Sequence, residues 1–419
     1  MAKRADIVIG ANFGDEGKGL VTDYLAARYE EEALIVRHNG GAQAGHTVTA
    51  PDGRRHVFKH FGSGSLAGAK TYLSRFFVCN PIIYLQEQEK LRALGVHPMV
   101  YVDPSAPIST PYDMMINQIS EESRGNGRHG SCGVGFGETI GRSLHPDFVL
   151  HFIDLANREK LRTFLLKTRN EWVPQRLRVL GINDLSPAWV ERINSGRILD
   201  WYLDQAQKFA ASVHLAPHGL LKTTPHVVFE GAQGLLLDQD SQWFPHVTRS
   251  HTGIRNALTL AREAGIEEID VTYISRAYCT RHGAGPLPHE LMQKPYEAIH
   301  DETNIPNEYQ GSLRFAHLDL DLLSSTIFDD LKHGQDFPKL TFRLGLSCMD
   351  QVGSDIGFIN RGRFEQASPN VFLAKVMEHG FDRLLLSYGP TRATMKEYGN
   401  PPMIPIAASR SMQEILITA

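Results

Sequence analysis

The stretch Asp6-Ile-Val-Ile-Gly-Ala-Asn-Phe-Gly-Asp-Glu-Gly-Lys-Gly-Leu20 runs an apolar strand into a glycine-rich turn that carries an acid and a lysine. Gly10, Gly14, Gly17 and Gly19 open backbone angles closed to other residues and let N–H groups approach an anion closely. With the charge of Lys18 added, the segment reads as a phosphate-binding strand, loop and helix. It departs from a Walker A loop: Asn12 stands where the first glycine belongs, and Gly19 replaces the Ser or Thr that would hold magnesium. Asp15 is the residue placed to take over that task. The alternative is an ordinary glycine-rich turn, and the rest of the chain decides between them.

The 419 residues exceed one typical domain, so two domains or one large sheet with insertions is expected. A net charge of −4 offers no bulk attraction to nucleic acid or anionic lipid, so any anion must be bound by a local site. Cys79, Cys132, Cys279 and Cys348 lie far apart with no CxxC pair, and there is neither an N-terminal apolar leader nor a spanning apolar run. A cytoplasmic protein with no membrane partner is expected. The 19 histidines show no HExxH or Cys/His ligand spacing, which argues against structural zinc.

Short β-branched or aromatic runs recur at Asp6–Ile9, Ala33–Arg37, Met99–Val102, His226–Phe229, Glu268–Ile274 and Arg383–Ser387. Helical patterns at Leu20–Tyr29, Pro81–Leu94 and Arg255–Ala264 alternate with them. Such alternation predicts an α/β fold, a large, mostly parallel central sheet flanked by helices. Leu161, Leu165, Leu166, Val190, Ile193, Ile198 and Leu203 are spaced along apolar faces, which predicts a helical insertion over about 154–216. The Gly/Ser/Arg-rich segment Glu121–Gly141 reads as a long surface loop, a common place for function.

Further glycine-rich polar loops are Arg37-His-Asn-Gly-Gly-Ala-Gln-Ala-Gly-His-Thr47, Phe229-Glu-Gly-Ala-Gln-Gly234 with Phe244-Pro-His-Val-Thr248, Arg276-Ala-Tyr-Cys-Thr-Arg-His-Gly-Ala-Gly-Pro286 and Ser387-Tyr-Gly-Pro390. Each follows a predicted strand. Loops at the carboxyl ends of strands in an open α/β sheet converge on one crevice, so these predict one ligand site.

In order and spacing these motifs resemble the adenylosuccinate synthetase family, from the first residues to about Met395. The resemblance implies that family's P-loop-NTPase-like fold as a single domain over 1–419, with a part that binds the triphosphate's base at about 340–395. It implies a homodimeric, Mg²⁺-dependent ligase that joins an amine to C6 of a 6-oxopurine nucleoside monophosphate, with ATP or GTP activating O6. Asp15 would be the base that removes the N1 proton, with Lys18 and His46 carrying charge on the transferred phosphoryl group. Asp15 and the Gly45 carbonyl would hold the magnesium ion. Gly14, Gly17, Lys18, Gly19, Gly45, His46, Thr47, Ser347, Ser387 and Gly389 would bind the triphosphate. Gln43, Ser131, Cys132, Arg142, Gln233, Thr248, His282 and Arg314 would contact the substrates, Arg142 as a cation for the substrate phosphate.

Three departures bear on the substrates. The family's Thr-Thr-Gly-Arg-rich aspartate loop reads Asn307-Glu-Tyr-Gln-Gly-Ser-Leu-Arg-Phe315 here, with Arg314 alone remaining, so aspartate or another amino acid is the expected donor. The family's guanine-reading Lys-Leu-Asp falls on Gly345-Leu-Ser347, which turns the expectation from GTP toward ATP. Gln43 replaces an asparagine and His282 an apolar residue, so the purine is of IMP or dGMP type. A phage branch of the family acts on dGMP with ATP, and the last two departures resemble it, although this chain keeps Asp15. Two other readings stand beside the ligase. One is a catalytically reduced purine-nucleotide-binding regulator; the other is an unrelated phosphate-loop hydrolase, with Glu230 as its Walker B carboxylate.

Overall fold

A computed structural model describes residues 3–128, 130–300 and 313–399, the side chain of residue 126 excepted. Its central sheet has ten strands: β1 (Arg4–Gly10), β2 (Ala33–Arg37), β3 (Lys70–Leu73), β4 (Val100–Val102), β5 (His214–Leu215), β6 (His226–Gly234), β7 (Glu268–Arg276), β8 (Lys339–Ser347), β9 (Leu384–Ser387) and β10 (Met395–Tyr398). Their order is β10-β9-β8-β7-β1-β6-β2-β3-β4-β5. All pairings are parallel except the antiparallel edge β9–β10.

β1 lies at the centre because it is apolar on both faces. Ile7 and Ile9 face one core with helices Arg255–Glu263, Leu320–Leu331 and Pro369–Glu378, while Val8 faces another with helix Lys18–Ala26. Each of these three side chains is fully buried, worth about 1.5–3 kcal/mol apiece. The 154–216 stretch holds helices Arg158–Lys167, Val173–Val179, Pro187–Asn194 and Gly196–Ser212. Its last residues form edge strand β5. Leu161, Leu165, Ile193 and Leu203 bury in a separate core with helices Pro81–Ala93 and Pro111–Arg124.

Four central-sheet strands, β3, β5, β8 and β10, lie outside the six strand runs expected from the sequence. β3 is four residues long, and β8 is interrupted by Arg343 and Gly345. Arg343 is buried inside the sheet, with its Nε donating to Thr272 Oγ1 at 2.7 Å and its charge facing Asp270. The segment read as a loop, Glu121–Gly141, instead begins as the end of helix Pro111–Arg124 and finishes in helix Phe136–Ser143.

β1 sits where the chain changes direction across the sheet. From β1 it crosses through helix Lys18–Ala26 to β2, beyond β6 on one side, while β7 flanks β1 on the other. Loops leaving β1, β2, β6, β7 and β8 therefore open at one end of the sheet, the crevice expected for a doubly wound fold.

Candidate functional site

The first loop is shaped by left-handed backbone at Gly14 (φ 95°), Asp15 (φ 60°) and Gly17 (φ 101°), the last capping helix Lys18–Ala26. Gly234, at the end of β6, lets the two loops touch: a Cβ there would lie 2.1 Å from the Asn12 carbonyl oxygen. Glu16 turns back under the loop. Its Oε1 accepts the N–H groups of Asn12 (2.8 Å) and Gly14 (2.9 Å), and its Oε2 lies 3.1 Å from Lys18 Nζ. Both side chains are buried, so the lysine charge arrives with a carboxylate attached. The amides left to meet an anion are those at the start of the helix, where the first N–H groups have no intrahelical acceptor.

Asp15 points away from this brace. Among the described residues its carboxylate accepts no hydrogen bond, and His282 Nε2 lies 3.9 Å from Oδ2. Arg276, at the end of β7, holds the Asp15 carbonyl with its Nε at 2.6 Å. Gln233 adopts φ 68°, and its side-chain oxygen lies against Gly14, so Asp15, Gln233 and His282 share one corner of the crevice.

The second loop meets the first at Gly19, where a Cβ would lie 3.0 Å from Thr47 O and 3.1 Å from His46 Cβ. Lacking one, the helix start packs directly on His46 and Thr47, with the exposed Gly45 preceding them. His46 Nδ1 is 2.6 Å from Glu230 Oε1. Glu230 is fully buried, with the Ser63 N–H at 3.0 Å, the Ser63 hydroxyl and Arg37 at 3.8 Å around it. Burial pushes Glu230 upward, but Arg37, His46 and Ser63 outweigh it and hold the carboxyl at about 2. Burial pulls His46 below its ordinary value against the pull of Glu230. The pair is thus a carboxylate accepting Nδ1–H from a neutral imidazole. Asn39 ties this loop to β6 by bonding both the N–H and the carbonyl of Ala232 (2.7 and 3.0 Å). Beside it both amide atoms of Gln43 are buried without a partner among the described residues.

Other expected substrate contacts are dispersed. Ser131 Oγ accepts from Asn117 Nδ2 at 2.8 Å; burial raises the Cys132 thiol, with Lys59 opposing. Thr248 is half-buried, its N–H on Leu237 O at 2.8 Å. Arg142 does not face the crevice: it is fully buried on Asp113 at 2.9 Å and on the carbonyls of Ile108 and Phe148. Arg314 forks onto Glu290 (2.7 and 2.5 Å) and holds the carbonyls of Gly283 and Gly285, bracing the His282 loop. Its ladder partner is Arg281, whose guanidinium lies 4.4 Å from the Phe13 ring centre; burial and then Arg314 bring it down to about 10. Residues 307–312 of the altered donor loop lie outside the described residues.

Of the residues expected at the triphosphate, Ser347 is buried under the first loop, its hydroxyl donating to Glu16 O at 2.7 Å. Ser387 Oγ donates to Gly389 O at 2.8 Å, and Gly389 packs on Thr394. Both stand on the strands beyond β7, flanking the phosphate loops. Glu16, Arg37, Asn39, Ser63, Arg276 and Arg281 escaped the sequence reading. All but Ser63 lie within quoted motifs and were within reach of it; Ser63 follows no motif at all.

Comparison with known proteins gives the family. Residues 7–325 match the family model described as adenylosuccinate synthetase. Adenylosuccinate synthetase of Microcystis aeruginosa is 33% identical over 293 residues, covering 68% of this chain and 62% of that protein, so the chain spans about three fifths of that relative's length. The enzyme of Phocaeicola vulgatus is 32% identical over 304 residues, 71% of this chain and 68% of its own. Among solved structures, fully ligated adenylosuccinate synthetase from Plasmodium falciparum superposes with a TM-score of 0.69 at 17% identity, covering 93% of this chain and 99% of its own. Cyanophage S-2L succinoaminodeoxyadenylate synthetase (PurZ), bound to dGMP and to dATP as an energy donor, superposes with a TM-score of 0.61 at 15% identity, covering 100% and 99%. With the family model matching residues 7–325, the loops of β1, β2, β6 and β7 among them, this chain belongs to the adenylosuccinate synthetase family.

Proposed function

We propose that the protein is a magnesium- and nucleoside-triphosphate-dependent ligase that phosphorylates O6 of a 6-oxopurine nucleotide, of IMP or dGMP type, and replaces it with an amine. The observation that carries this reading is the meeting of Asp15, Gln233, Lys18 and the His46–Glu230 pair at the C-terminal ends of β1, β2 and β6. A carbonyl oxygen is a poor leaving group, so the first step must convert it. Asp15 removes the N1 proton, O6 attacks the γ-phosphorus, and the nucleoside diphosphate leaves. The amine nitrogen then adds to C6, the C6–O6 bond breaks, inorganic phosphate departs, and the nitrogen gives up a proton. Lys18 and the amides at the helix start offer positive potential to the migrating group, and His46, neutral in the unliganded protein, donates to it once Nε2 takes a proton.

The unbonded Asp15 carboxylate and the exposed Gly45 carbonyl are hard oxygen donors of the kind Mg²⁺ takes. Bound there, magnesium would neutralise charge on the triphosphate oxygens. Ser347 supplies a hydroxyl engaged with the first loop, where a guanine reader needs a carboxylate, which favours an adenine nucleotide as donor. The amine is aspartate or another amino acid. A homodimer belongs to the same reading and is checked by sedimentation.

The test follows phosphate release from ATP or GTP with IMP or dGMP, magnesium and aspartate, omitting each in turn. Release that needs the purine nucleotide supports the ligase; tight nucleotide binding without turnover supports the regulator reading. Asp15→Asn is expected to abolish nucleotide-dependent release at an unchanged melting temperature, and full activity in that variant would sink the mechanism.

A further inference from the structure

We propose that Glu230 is a positioning residue for His46, fixing its ring and tautomer so that Nε2 is the nitrogen presented to the phosphoryl group. This rests on the ligase reading and assigns a role to a residue that the mechanism above uses only as a neighbour.

The observations are geometric. Imidazole has two nitrogens on opposite edges, and Nδ1 is engaged by Glu230 Oε1 at 2.6 Å. Glu230 cannot turn away: it is fully buried, its Oε2 accepts the Ser63 N–H at 3.0 Å, the Ser63 hydroxyl binds its other oxygen, and Arg37 stands 3.8 Å off. The three elements meeting here are the start of hairpin His46–Thr49/Arg55–Phe58, the turn Ser63–Ala67 and the middle of β6. A carboxylate so enclosed accepts only, so the proton between the pair lies on Nδ1 and the other ring nitrogen is left for the crevice. Gly19 completes the clamp, since the helix start packs on His46 Cβ from the other side. The arrangement matches the general logic by which an outer carboxylate sets the orientation of a working histidine, where losing the partner typically costs about 10–100-fold in activity.

Four variants of the full chain test it: Glu230→Gln, His46→Ala, the pair together, and Ser63→Ala as a milder perturbation of the same carboxylate. Purine-dependent phosphate release is expected to fall about 10–100-fold in kcat for Glu230→Gln, with KM for both nucleotides within about threefold. In the His46→Ala background the same substitution is expected to change nothing further, because its effect runs through the ring. An equal loss in both backgrounds overturns the proposal and makes Glu230 a structural residue. ¹⁵N shifts of His46 give a readout free of turnover: the Nδ1–H tautomer in the unliganded wild type, and its loss in Glu230→Gln or weakening in Ser63→Ala. A wild type without turnover counts against the ligase reading, and the tautomer measurement then decides the positioning role: the same tautomer in wild type and Glu230→Gln overturns it.

Discussion

At the scale of single residues, charge type alone does not separate a ligand-facing arginine from a structural one. Arg142 and Arg314 were both expected at the substrates, and Arg142 is instead fully buried on Asp113. Removing one partner of a buried pair leaves the other uncompensated. Arg142→Met is therefore expected to lower the unfolding free energy by about 3–5 kcal/mol in urea titrations, while the folded variant binds purine monophosphate as the wild type does. Tenfold weaker binding at full stability would instead place Arg142 on the phosphate. Asp330 offers a second residue-scale test. Burial raises its carboxyl to about 7, against the Tyr273 hydroxyl at 2.8 Å and the Ile254 N–H. Its folded value lies above the ordinary 3.8, so the folded state holds the proton more tightly. That contribution is complete below about pH 4 and is lost as pH rises through about 7. Asp330→Asn, which keeps an acceptor for Ile254, is expected to gain on the wild type by about 1–4 kcal/mol between pH 4 and 8. A stability difference that is flat with pH would refute it.

At the scale of elements, the first loop was legible because glycine spacing reports backbone geometry directly: Gly14 and Gly17 do take the left-handed conformations read from them. Gly19 was read as part of the phosphate cradle, and its position adds a packing role against the second loop. A methyl there presses on Thr47 O and His46 Cβ. Gly19→Ala is expected to cost at least about tenfold in turnover, since small displacements of a reacting group are expensive. The melting temperature should move little, because alanine is the better helix former by about 1 kcal/mol. A large loss of stability with normal kcat would put the glycine's value in the fold. Within the same loop, the brace of Glu16 against Asn12, Gly14 and Lys18 was not legible. Sequence records that an acid neighbours a lysine, but not that the loop folds back far enough for the acid to occupy its inner amides.

For the whole molecule, strand runs with alternating helices were enough to specify an α/β sheet, because strands buried on both faces must be apolar along their length. That argument found β1, β2, β4, β6, β7 and β9 and missed the short strands β3, β5 and β10; it also missed β8, where Arg343 interrupts the run and is compensated by Thr272 and Asp270 across the sheet. The motifs likewise singled out the loops to which the proposed function assigns phosphate chemistry, since glycines, an acid, a lysine and a histidine are chemistry that local sequence can display. Tertiary structure alone decided which of those groups meet: that Glu230 lies behind His46, that Arg142 is locked on Asp113, and that Arg314 holds the His282 loop through Gly283 and Gly285. These contacts join residues up to 184 positions apart. Their existence depends on strand order and register, which no local pattern encodes.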